Sequence, residues 1–381
     1  MRKNGTFLFS FAVTVFVTVA LGAVLFIGLM FARQDSFGSF FEARAGNLFI
    51  RIDIKEEAVS LGAVIQRNID MGVFALIDKA RESETYEQYE AMYEECPILA
   101  AQNSLRGRVI VLDAGHCDNT GGAIAGYREG VRMLQLARFL RDELESRGAT
   151  VHMTRDCGDD LHNTLRVAMM NLWSLEAIVY DRHSSGQFYS AELSELSGLI
   201  ETLNRIISNR RRYAQVYMNH PFDQYLMTRI HPTWRRVLEF QSDPLIRYNW
   251  LAISLHSNAA YPFDESRNGA IVFYSSNDNS ISRSYFANYS HEYNMRLFGN
   301  MLLREIAQIG IRRNRLRSSS YMFIRETNLP AVLVENGFHT NPGDRALLSC
   351  DVFMRRLALV YADTIEEYFR QINYNREQVN Q

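Results

Sequence analysis

VIVLDAGHCDNTGGAIAGYREG, residues Val109 to Gly130, opens with a short apolar run, Val109 to Leu112, that reads as a buried strand. The run breaks into a glycine-rich loop carrying Asp113 and His116, and Glu129 then opens a helical pattern. A strand end that delivers His and Glu to one loop face is where open α/β sheets place their chemistry. Two later stretches have the same character. NWLAISLHSNAA puts His256 just past a strand, and LPAVLVENGFHTNP puts Glu335 just past another. Three strand ends thus bring together two histidines and two glutamates, the side-chain inventory of a zinc hydrolase.

Working outward, Met133, Leu136, Ala137, Leu140 and Leu144 mark one face of a helix that stops near Gly148. Short strands follow at Ala149–Met153, Leu251–Leu255, Ala270–Tyr274 and Ala331–Val334, with a helix expected at about 284–309 and a last one carrying Leu357, Tyr361, Ile365 and Tyr368. Alternating strands and helices predict an α/β domain with a twisted, mostly parallel sheet flanked by helices, over residues 105–373 with a short tail at 374–381. Between the second strand and the strand of His256 lies a helical insertion at about 173–248. Leu193, Leu196, Ile200, Leu203 and Ile207 form its apolar stripe, and Arg210, Arg211 and Arg212 a basic cluster.

The chain has 381 residues, 47% hydrophobic and 22% charged, which suffices for a sizeable core. A formal charge of -2 offers no basic excess to neutralise phosphates, which argues against a nucleic-acid partner. Cys96, Cys117, Cys157 and Cys350 form no CxxC pair, so neither a zinc–cysteine site nor a dense disulfide framework is expected. Thr6 to Ala32 holds no charged residue and is flanked by Arg2, Lys3 and Arg33. At roughly 1.5 Å per residue it exceeds the ~30 Å hydrocarbon core of a bilayer. Residues 1–33 therefore read as an uncleaved signal anchor, an N-terminal transmembrane helix with the rest of the chain outside the cytoplasm. Residues 34–104 read as a spacer or small helical region, with FIRIDI (Phe49–Ile54) a candidate strand.

LDAGH, the following RE, SLHSNA and PAVLVENGFHTNP together resemble the zinc-dependent N-acetylmuramoyl-L-alanine amidases that cut peptidoglycan; they stand here in the family's order and rough separation, over about Arg108 to Phe369. The resemblance implies one zinc per chain, His116, Glu129 and His256 as its ligands, and Glu335 as the catalytic carboxylate. It makes peptidoglycan the substrate and the bacterial cell membrane, single-pass, the location. Asp113 is a candidate acceptor for an imidazole N–H, and Asn258 and Arg325 are candidate substrate contacts, Arg325 for a peptide carboxylate. The other histidines (His152, His162, His183, His220, His231, His291 and His339) read as surface or structural. The RRNRLR run at Arg312–Arg317 reads as a solvated face, with attraction to anionic wall polymer as the alternative. Cys117 replaces the small residue usual in the family's loop, and Gly130 weakens the helix start after Glu129. The insertion either gates the cleft, with a regulatory protein docking on it, or widens the core. A zinc carboxypeptidase-type peptidase and a catalytically silent cell-wall or division scaffold are the alternative functions.

Overall fold

The structure, a computed structural model, describes residues 40–45, 48–53, 103–186, 190–218 and 230–379. The chain divides into two units, Met1–Ile98 and Leu99–Gln381. In the first, β1 (Phe40–Ala45) and β2 (Leu48–Asp53) pair antiparallel, Phe40 opposite Asp53 and Ala45 opposite Leu48. The expectation of a single-pass membrane protein is corrected. Among the described residues no helix is long and apolar enough to cross a membrane, and Thr6 to Ala32 lies outside them. The longest described helix, Asp351–Val379, carries Arg355, Arg356, Asp363, Glu366, Glu367 and Arg370, charges a hydrocarbon core would reject.

The second unit is built on a six-stranded sheet. Its strands are β3 (Val109–Ala114), β6 (Thr150–Met153), β7 (Trp250–Asn258), β8 (Ala270–Tyr274), β9 (Arg313–Ser318) and β10 (Ala331–Phe338), and a small hairpin, β4 (Ala123–Ile124) with β5 (Tyr127–Arg128), stands apart. The spatial order is β6-β3-β7-β10-β8-β9. The pairings β6–β3, β3–β7 and β7–β10 are parallel, whereas β8 runs antiparallel to β10 and parallel to β9. Central parallel strands are covered on both faces, so they read as near-continuous apolar runs. Ile110, Val111, Leu112, Leu251, Ala252 and Ile253 are accordingly all fully buried.

In chain order the helices are α1 (Glu129–Ser146), α2 (Asn163–Ser184), α3 (Ala191–Ser208), α4 (Arg210–Tyr217), α5 (Pro232–Phe240), α6 (Pro244–Asn249), α7 (Ser280–Tyr285), α8 (Glu292–Gln308), α9 (Met322–Arg325), α10 (Pro342–Leu348) and α11 (Asp351–Val379). Residues Ile110, Leu112, Leu251, Ile253, Val332 and Val334 face one core with α1, α8 and α11. Val111, Ala252 and Leu333, pointing the other way as strand alternation requires, face a second core with α2, α3 and α5. Leu193, Leu196 and Leu203 of the insertion's apolar stripe are buried in that second core. The helices of the insertion are therefore a layer of the fold that covers one face of the sheet. A buried polar seam binds them to the segment before β10. Gln241 Nε2 donates to Asn171 Oδ1 at 2.8 Å, Asn328 N to Gln241 Oε1 at 2.7 Å, and Trp234 Nε1 to the Glu326 carbonyl at 3.2 Å.

Three local expectations change. RRNRLR is in large part a strand, β9, at the edge of the sheet. The helix expected over 284–309 is two helices, α7 and α8. The last helix continues through residues 374–379.

Candidate metal centre

The three strand ends picked out by the sequence are neighbours in the sheet, with β7 in the middle. Asp113 on β3 pairs with Ser254 on β7, and His256 on β7 pairs with Glu335 on β10. His116 lies two residues past β3 with φ +58, a left-handed conformation that costs a non-glycine residue about 1–3 kcal/mol. Two buried arginines over-determine that loop. Arg155 donates to the carbonyls of Ala114 at 2.8 Å and Gly115 at 3.0 Å, and Arg166 donates to those of Ala114 and His116. Glu129 arrives from the other side as the first residue of α1, directly after the tight β4–β5 hairpin whose turn residues Ala125 and Gly126 both have positive φ.

At the centre, Glu129 Oε1 lies 3.3 Å from His116 Nε2 and 3.2 Å from His256 Nδ1. One ligand atom from each of the three residues falls within 4.8 Å of the other two, a group that could hold a metal ion. Backbone N–H groups orient the carboxylate, Ser257 N at 3.1 Å from Oε1 and Gly122 N at 2.8 Å from Oε2. Burial works to raise the Glu129 pKa, but hydrogen bonds from His116 and His256 outweigh it and hold it well below the usual carboxylate range. Burial likewise works to lower His256, and the acidic groups led by Glu129 reverse that and raise it. A carboxylate held ionised between two imidazoles suits a divalent cation, so the donor set fits the group. The space around it exists because of glycines. A Cβ on Gly115 would stand 2.3 Å from the His256 ring, and one on Gly121 2.7 Å from that of His116. Gly130 has a parallel reason, since a Cβ there would meet the Cys117 carbonyl at 1.8 Å. Cys117 itself is buried, with Sγ 3.3 Å from Thr120 Oγ1, and it is not among the three grouped residues.

Glu335 is the second carboxylate. Its Oε2 is buried without a hydrogen-bond partner among the described residues, and burial first, with Glu129 adding, pushes its pKa up to about 7 against the pull of His256. Such a group changes protonation near neutrality, as proton transfer requires.

Three companion assignments come out differently. Asp113 does not serve an imidazole. Its Oδ1 accepts from Thr154 at 2.6 Å and Arg166 at 2.8 Å, and its Oδ2 from Ser254 at 2.6 Å, so it ties strand to loop. Arg325 is not a substrate contact, because it is fully buried, with Nε 3.0 Å and Nη2 2.8 Å from Glu326 Oε1 and Nη1 3.1 Å from the Ser320 carbonyl. His339, read as structural or surface, lies beside the centre. It stacks on Tyr127 at 5.5 Å between ring centroids, and its Nδ1 is 3.0 Å from Ser257 Oγ, which accepts from Tyr127 Oη at 2.8 Å. The contact pairs residues far apart in sequence, and its only trace there is the position of His339 three residues after Asn336 in VENGFH. Asn258 lines a groove next to the centre.

A family model described as N-acetylmuramoyl-L-alanine amidase matches residues 110–180 and 182–367, well over half of the chain. The chain belongs to the N-acetylmuramoyl-L-alanine amidase family. The amidase AmiC of Neisseria meningitidis serogroup B (strain ATCC BAA-335 / MC58) is 22% identical over 269 residues, 69% of this chain and 53% of that protein. The chain thus spans about half the length of that curated relative. Among solved amidase structures, AmiC2 of Nostoc punctiforme is 16% identical, with 69% of this chain and 98% of that one covered and a TM-score of 0.42. Ami1 of Mycobacterium smegmatis is also 16% identical, covering 70% and 99%, with a TM-score of 0.43.

Proposed function

We propose that this chain is a zinc-dependent amidase that hydrolyses the bond between N-acetylmuramic acid and L-alanine in peptidoglycan. One observation carries the reading in a member of this family. Glu129 Oε1 lies within 3.3 Å of two imidazole nitrogens, while the next strand offers a buried carboxylate oxygen with no partner among the described residues. His116, Glu129 and His256 would hold the zinc. When bound, zinc supplies Lewis acidity towards the amide carbonyl and the attacking water. Glu335 accepts the proton of that water and passes it to the amine, which leaves poorly unless protonated. A pKa of about 7 lets one carboxyl group do both near neutral pH. Arg155 and Arg166 fix the loop that presents His116, and Ser257, positioned by Tyr127 and His339, fixes Glu129.

Zinc dependence on purified peptidoglycan tests the proposal. Chelation is expected to stop release of soluble peptide, and one equivalent of zinc per chain to restore it. Full release from a chain stripped of metal would reject the zinc reading.

A further inference from the structure

Residues paired across a sheet share a face, so the register places side chains of distant strands in one row. From the metal centre that row runs His256 on β7, Glu335 on β10, Ile271 on β8 and Arg315 on β9. The next row puts Arg317 beside Phe273, with its guanidinium 5.9 Å from the ring centroid. Leu316 between them points the other way and packs against the first core. Arg315 and Arg317 therefore stand on the same sheet face as Glu335. Two strand spacings, about 10 Å, separate the Arg315 position from that of Glu335.

These arginines line a groove of about 820 Å³ that begins at Asn258, two residues past His256. Arg267, Arg312 and Arg313 also line it, and among the described residues no acidic side chain does. Arg267 is held by Asp264 at 3.4 Å and Arg313 by Asn300 at 2.9 Å, whereas Arg315 is exposed and its guanidinium makes no hydrogen bond or ion pair among the described residues. Guarding an edge strand against pairing requires charge on β9, but it does not require arginines on the face of Glu335 beside an open groove.

We propose that Arg315 and Arg317 bind carboxylates of the peptide on the amine side of the scissile amide. The inference rests on the amidase reading and adds the part of the substrate it had left unplaced. An extended peptide advances about 3.3–3.6 Å per residue, so about three residues carry it from Glu335 to Arg315. The planar fork of a guanidinium matches a carboxylate in two parallel hydrogen bonds, and a peptide of that length offers both side-chain and terminal carboxylates.

Two readouts separate this inference from the reading beneath it. In the first, the full chain loaded with zinc is given an N-acetylmuramoyl tetrapeptide with free carboxylates and its amidated analogue. Failure to cleave either would remove the amidase reading, and the assignment with it, whatever the binding result. In the second, calorimetry measures binding of the same two compounds to the Glu335→Gln chain, with and without Arg315→Gln and Arg317→Gln. The free-carboxylate compound is expected to bind at least about tenfold more tightly, and the double substitution to shrink that preference to within about twofold. Arg315→Lys with Arg317→Lys is expected to retain part of it. A preference that is absent at the start, or that survives the double substitution, would overturn the assignment. So would arginine-dependent binding of poly(glycerol phosphate) without any preference between the two peptides.

Discussion

Asp113 is fully buried and Glu335 half-buried with its Oε2 enclosed, on strands either side of β7, and their neighbours send the two carboxylates in opposite directions. Burial raises each, but Arg166, Ser254 and Thr154 overcome it at Asp113 and keep that group below its ordinary range, whereas Glu335 rises to about 7. Glu335→Gln is expected to cut the turnover number by about 10²–10⁴ while zinc content by elemental analysis stays at one per chain. Loss of zinc from that variant would place Glu335 among the ligands. Arg166→Met leaves the Asp113 charge buried and unpaired, and urea denaturation is expected to read a loss of about 3–5 kcal/mol. His291 adds an acid-sensitive contribution to stability. Burial, then the Arg247 charge, pulls its pKa down to about 3 from 6.5, so the folded state resists the proton that the unfolded chain binds. The contribution of His291 to stability is then complete above pH 6.5 and is lost as the pH drops towards 3, by up to about 1.4 kcal/mol per unit, while Glu335, raised to about 7, slopes the other way between its ordinary range and 7. The stability of His291→Gln relative to the parent chain is expected to rise from pH 7 to pH 5 in denaturation curves; a difference that does not change with pH would assign the effect elsewhere. The grouping of His116, Glu129 and His256 was legible because two of them stand at or beyond apolar strand runs in short motifs and the third opens a helix after the same glycine-rich loop. Arg325 and Asp113 were misread because their partners (Glu326 for the first; Thr154, Arg166 and Ser254 for the second) are a matter of burial, which no motif spells out.

Strands buried on both faces announce themselves as apolar runs, and β3 and β8 were read from the sequence close to their observed limits, whereas β7 and β10 run three and four residues further and carry His256 and Glu335 within them rather than just past their ends. β9 was not, because an edge strand with Arg313, Arg315 and Arg317 on alternate positions has the composition of a solvated loop. The insertion shows the converse. Its leucine stripe was visible, but whether that stripe faced a cleft or a core depended on Val111, Ala252 and Leu333, supplied by strands far away in the chain. Its packing makes α3 part of the folding unit, and Leu203→Ala is expected to cost about 2–5 kcal/mol. A loss below about 1 kcal/mol in thermal or urea unfolding would mean that α3 sits on the domain without supporting it.

Across the second unit, the two sheet faces divide the labour. One packs α1, α8 and α11 and closes a core of aliphatic and aromatic side chains. The other is covered by the helices of the insertion, with the candidate metal group and Glu335 towards the carboxyl ends of the parallel strands, where such sheets leave room for ligands, and the arginine groove along β8 and β9 beside them. Which bond is cut tests the amidase proposal most directly. The zinc-loaded chain is incubated with purified peptidoglycan and the products are identified by mass spectrometry, beside Glu335→Gln. Stem peptides with a free L-alanine amino end and glycan strands with unsubstituted muramic acid, both absent from the variant, are the predicted result. Release of terminal amino acids with the muramoyl amide intact would contradict it and point to a peptidase.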